Sequence, residues 1–160
     1  LEKNKKNMIY NHELKLNSHK YLQINKNLIP TGKFKNLKNS IYDFSNYKNI
    51  GKKLNFFKNK KINIKFKGFD TTFVIKKNAR NLVGSLKNNN SNIQVDFFSN
   101  LPGVQLYSAQ NLNYKKKLFP YQGICLETQY FPDAPNKKNF PSTLIKPNKI
   151  YTCFTKIKIN

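Results

Sequence analysis

"NIQVDFF", residues 92–98, sets Ile93, Val95 and Phe97 against Gln94 and Asp96. A repeat of two is the spacing of a β-strand with one dry and one wet face, because successive side chains leave a strand on opposite sides. A helix would need its apolar residues three and four apart. The alternation recurs along the chain. "KINIKFKGF" (61–69) alternates Ile62, Ile64 and Phe66 with Lys61, Asn63 and Lys65, and "HELKL" (12–16) alternates Leu14 and Leu16 with Glu13 and Lys15. "TTFVI" (71–75), "GVQLYSA" (103–109) and "YTCFTKIKI" (151–159) read as further strands. Turn signals separate them: "PTG" at 30–32, "KNNNSN" at 87–92, "NLPG" at 100–103 and "PDAPN" at 132–136. No helix of three turns is expected, residues 76–84 accommodate a turn or two, and the Asn/Lys segments 33–60 and 87–92 read as long surface loops. Short strands separated by frequent turns define an all-β, antiparallel β-sandwich, and 160 residues suffice for one domain or part of a larger one.

The formal net charge of +23 points first to a polyanionic partner. The residue types argue otherwise. Arg80 is the only arginine, whereas base and phosphate recognition favours the arginine fork. The lysines are spread over the chain, and none of their runs is longer than Lys115–Lys117. Asn, Ile, Phe and Tyr are abundant beside Lys, which is the residue set that A- and T-rich codons write. We therefore expect no specific nucleic-acid partner and lysines distributed over the surface. No apolar run is long enough for a membrane span, and "LEKNKKNMIY" has no apolar stretch of a secretion signal, so a cytoplasmic protein without a membrane partner is expected. Cys125 and Cys153 lack metal-ligand spacing, so no metal is expected. They read as small buried thiols, with a single disulfide as the alternative.

Against such a composition the seven carboxylates and six glycines carry information. "GICLETQYFPDAPNKKNFPSTLIKPNKIY" (123–151) resembles the C-terminal signature of the aldose 1-epimerase (galactose mutarotase) family: G-I/L-C-L-E-T/S-Q, then P-D-A-x-N, F-P-S and L-x-P-G-x-x-Y. The glycine that closes that pattern is Asn148 here. "LPGVQLYSAQNL" (101–112), "KGFDTTFVI" (67–75), "LIPTGK" (28–33) and "YDFSNYKNIG" (42–51) are similar to further family segments in the same order. Five of the six glycines, all but Gly84, fall in these segments, where turns would need them.

The resemblance implies the galactose mutarotase-like supersandwich fold and acid/base interconversion of the α and β anomers of a free hexose such as galactose or glucose, with no cofactor. It implies that residues 1–160 are the C-terminal half of one such domain, and that the family's catalytic histidine, in an H-x-Y-F-N-L motif, lies upstream of Leu1. A non-catalytic sugar-binding remnant is the alternative. Mutarotation needs a base for the anomeric hydroxyl and an acid for the ring oxygen on opposite sides of the sugar. By the resemblance Glu127 is the catalytic base. On a period-two strand it shares a face with Cys125 and Gln129, while Ile124, Leu126 and Thr128 take the other. Asp70 matches the family's sugar-binding aspartate and Gln105 a glutamine that contacts the sugar or orients the base. The family's histidine after that aspartate is Thr71 here. Asp133, in "FPDAPN", reads as a turn former. His12 and His19 match neither catalytic position.

Overall fold

A computed structural model describes residues 8–59, 67–88, 90–115 and 117–160. The alternation of Ile62, Ile64 and Phe66 lies outside the described residues. Among the described residues ten strands form two five-stranded antiparallel sheets. One runs β10 (Thr155–Ile159), β7 (Ile93–Ser99), β6 (Leu82–Asn88), β1 (His12–Leu16), β4 (Lys48–Asn49). The other runs β3 (Pro30–Asn36), β2 (Ser18–Ile24), β5 (Asp70–Ile75), β8 (Gly103–Tyr107), β9 (Cys125–Gln129). The two-residue period is satisfied in β1, where Leu14 and Leu16 are buried while Glu13 reaches across to its register partner Lys87 at 3.2 Å. It is satisfied less cleanly in β7, where Ile93–Phe98 are all half-buried and Phe97 alone packs on the main core.

The core between the sheets sets a group of aromatic rings among aliphatic side chains. Phe69 and Phe73 from β5 and its approach meet Phe44 and Phe57, with Val104 and Leu106 beside them. A second, smaller cluster lies on the outer face of the β3-to-β9 sheet. There Phe131, Ala134 and Phe140, carried by the loop after β9, cover Leu22, Phe34 and Val74. This loop leaves the other part of that outer face open.

Several local expectations need correction. Of the expected loop 33–60, residues 33–36 finish β3, residues 48–49 form β4 and Ile50–Asn59 make helix α1, which leaves 37–47 irregular. The helix starts where Asn49 Oδ1 accepts the Lys52 N–H at 2.9 Å, and it buries Ile50, Leu54 and Phe57 along one face. The β2–β3 turn does not sit at "PTG" but at Asn25–Ile29, where Asn25 Oδ1 accepts from Asn27 and Ile29 and Leu28 takes a left-handed φ of 64°. Residues 76–81 form a turn without a helix, ordered by the Asn78 side chain. Neither cysteine is the buried thiol expected: Cys153 is exposed and Cys125 half-buried, and both are free.

Close approach, more than turn geometry, explains the glycines. Only Gly32 has a left-handed φ, +86°. At Gly68 an added Cβ would lie 2.8 Å from Gln110 Oε1 and crowd Ser108 Oγ, the atom that accepts the Phe69 N–H at 2.8 Å.

The loop after β9 is held by Asp133, in the left-handed region at φ 61°. Its carboxylate accepts from Asn136 Nδ2 at 2.5 Å and pairs with Lys137 Nζ at 2.7 Å. The Lys137 and Asn136 contacts hold its pKa below the ordinary value, outweighing a small opposing effect of burial. A carboxylate with a depressed folded pKa stabilises above its unfolded value of about 3.9 and loses that contribution as pH falls through the folded value. Asp133→Asn should therefore lower the urea midpoint at pH 7, and the two proteins should converge well below pH 4. A gap of equal size at pH 7 and pH 2.5 would refute an electrostatic role.

Candidate active site

Register builds the site. β5, β8 and β9 are adjacent antiparallel strands, and Thr72, Gln105 and Glu127 stand directly opposite one another across them. Residues opposed in this way point to the same face with Cβ atoms about 5 Å apart. Phe73, Val104, Leu106 and Leu126 pack toward the core. The period of two therefore turns Asp70, Thr72, Gln105, Cys125 and Glu127 to the outer face of the sheet, where Thr72 is covered by its neighbours.

Hydrogen bonds tie the row together. Gln105 Nε2 donates to Asp70 Oδ1 at 2.6 Å, and Thr72 Oγ1 donates to Gln105 Oε1. Asp70 and Gln105 are half-buried, whereas Glu127 is exposed at the sheet edge. Burial pushes the Cys125 thiol pKa up, and the Glu127 carboxylate two residues away adds to that rise, consistent with both side chains lying on one face.

The three site residues inferred from the sequence are thus brought onto one face of one sheet. Thr72 was missed, although its place two residues after Asp70 on a strand puts it on the same face. Thr71, where the family has a histidine, is buried on the opposite, core face and hydrogen-bonds Tyr42, so the exchange does not enter the outward row. Neither histidine joins the row. His12 is buried on β1 of the other sheet. His19 is exposed on β2, beyond β5, and its pKa is lowered by partial burial and by Lys76 and Lys20. A cavity of about 420 Å³ lies elsewhere, between Phe34, Phe131, Lys76 and Leu101, and holds none of the row. Among the described residues no cluster of metal-binding side chains occurs, and no helix is long and apolar enough to cross a membrane.

Two antiparallel sheets with this connectivity are the galactose mutarotase-like fold. The GalM/aldose epimerase homologue from C. elegans superposes with a TM-score of 0.82 at 20% identity, over 96% of this chain and 47% of that one. Galactose 1-epimerase from Lactobacillus acidophilus NCFM superposes with a TM-score of 0.72 at 19% identity. The sequence defines membership more narrowly: the aldose 1-epimerase family model matches residues 1–158, and the chain belongs to that family. It is 30% identical to galactose mutarotase of Pongo abelii over 159 residues, covering 95% of this chain and 44% of that protein. It is 24% identical to aldose 1-epimerase of Escherichia coli (strain K12), again covering 44% of that protein. The chain thus spans under half the length of the curated relatives it matches.

Proposed function

We propose that the Asp70–Gln105–Glu127 row is the sugar-binding and base half of an aldose 1-epimerase site acting on a free hexose such as galactose or glucose. The observation that carries this reading is the register. Residues far apart in sequence, matched separately to family segments, are opposed across three strands. Glu127 takes the proton from the anomeric hydroxyl. The ring opens as an acid protonates the ring oxygen, the exposed carbonyl turns over, and the roles reverse on closure. Asp70 accepts hydrogen bonds from sugar hydroxyls and Gln105 offers an amide N–H. Proton transfer alone suffices, so the reaction calls for no cofactor.

The acid is assigned to a group outside residues 1–160, since His12 and His19 both stand away from the row. The described structure has room for further strands. β9 and β10 are both sheet edges among the described strands, and Thr128 Oγ1 and Thr155 Oγ1 lie 2.5 Å apart between them. Ile157 and Ile159 on β10 are 58% and 71% exposed, and Ile150 is 95% exposed. Unpaired strand edges and contiguous exposed apolar side chains mark a surface that other chain segments cover. We assign that surface to the remainder of the mutarotase domain and place the protein in the cytoplasm.

Polarimetry on freshly dissolved α-galactose tests the reading. A protein comprising these residues and the family's histidine segment should speed the approach to equilibrium, and the 160-residue chain alone should scarcely exceed buffer. Binding without acceleration in both would favour a non-catalytic sugar-binding role. Asp70→Asn should mainly weaken binding, raising KM about tenfold with kcat little changed, because a hydroxyl-binding carboxylate serves ground and transition states alike. A kcat loss equal to that of a Glu127 variant would instead place Asp70 in proton transfer.

A further inference from the structure

We propose that Thr72 is a positioning residue that, together with Asp70, holds the Gln105 amide in one orientation, and so presents the sugar with one N–H donor beside one carboxylate acceptor. An amide carries a donor end and an acceptor end, and only its surroundings decide which points where. Asp70 Oδ1 lies 2.6 Å from one end of Gln105. An ionised carboxylate accepts only, so that end must be Nε2. The carbonyl oxygen then faces Thr72, whose hydroxyl is the group that donates to it. Thr72 is buried, so water does not readily replace the donor.

The consequence is chemical. With Oε1 satisfied by Thr72 and one Nε2 hydrogen given to Asp70, Gln105 keeps its second N–H. Asp70 keeps Oδ2, which no other described residue bonds. A donor and an acceptor held side by side match adjacent hydroxyls, one accepting and the other donating. Without the Thr72 hydroxyl the carbonyl of the half-buried Gln105 loses its donor, and the amide is held through Nε2 but no longer through Oε1. Thr72 is separated from Glu127 by the whole of β8 and has no part in proton transfer. It acts through Gln105.

The test reads the amide directly. In 15N-labelled native protein the Gln105 side-chain NH₂ pair, assigned by its disappearance in Gln105→Leu, should be shifted strongly in Thr72→Val and retained in Thr72→Ser. Backbone amides of β5 and β8 serve as the control for folding. If the valine variant does not fold, Thr72→Ala against Thr72→Ser gives the same contrast. Unchanged Gln105 signals in the valine or alanine variant, or equal shifts in the serine variant, would overturn the proposal. This readout needs no sugar. The second arm rests on the mutarotase reading: galactose affinity should fall about fivefold to tenfold in Thr72→Val and recover in Thr72→Ser, with kcat nearly unchanged. If the amide moves as expected but galactose binds none of the proteins, Thr72 still orients Gln105 and the mutarotase reading fails. If affinity falls while the amide is unmoved, the positioning role fails.

Discussion

Glu127→Gln is expected to slow anomer interconversion about 10²-fold or more while leaving galactose affinity within about twofold. The amide keeps the size and the face of the carboxylate, opposite Gln105 on β9. It can still donate and accept a hydrogen bond, but it cannot take the anomeric proton. Each factor of ten is about 1.36 kcal/mol of transition-state stabilisation, so the expected loss is about 2.7 kcal/mol or more. Because Glu127 is exposed and its strand is an edge, the substitution should leave the melting temperature nearly unchanged. That separates a chemical defect from a folding defect. An unaltered rate in the acid-bearing protein would move the base elsewhere, and the half-buried Asp70 would be the next residue to test.

The largest stability effect is expected at Phe69. Its side chain is fully buried and meets Phe44 and Phe57 edge-on at centroid distances of 5.2 Å each, with Tyr42 at 6.1 Å. Truncation to alanine removes the ring, its edge-to-face contacts and the packing of Phe57 of α1 against it. Buried Phe-to-Ala changes cost about 3–5 kcal/mol, a large share of the 5–15 kcal/mol that holds a typical domain folded. Phe69 immediately precedes Asp70, and its N–H is fixed by Ser108 Oγ. Phe69→Ala should therefore weaken sugar binding as well as lower the urea midpoint. Phe69→Leu, which refills part of the space, should recover a good part of both. A loss below about 1 kcal/mol would mean that the aromatic cluster does not organise the core.

The sheet order and the fold were legible to different degrees. Period-two alternation identified β1 and β7, and the strand content followed from it. The helix α1 was obscured by composition: its exposed positions are Lys and Asn like those of the loops, so the spacing of Ile50, Leu54 and Phe57 behind the cap Asn49 was the only signal. Asn148, standing where the family pattern closes on glycine, adopts φ 60°. That is a left-handed conformation that asparagine tolerates better than most residues, so the exchange preserves the backbone.

Within the site, the motifs singled out Asp70, Gln105 and Glu127 one at a time, but nothing in a linear sequence states that β5, β8 and β9 are neighbours in this register. Pairing between distant segments is settled by the whole fold, which is why the Thr72–Gln105–Asp70 chain emerges only in three dimensions. The exposure of Glu127 was likewise not legible. It follows from β9 being an edge among the described strands, a fact of sheet order.

The most direct measurement is a galactose titration of 15N-labelled protein followed by two-dimensional NMR. If the row on the outer face is the sugar site, the saturating shift changes should concentrate on the Gln105 side-chain NH₂ and the backbone amides of Asp70, Gln105 and Glu127, with the loop from Phe131 to Phe140 changing less. Shifts confined to the cavity between Phe34, Phe131 and Leu101, or no saturable shift at the row in a protein that interconverts anomers, would contradict it.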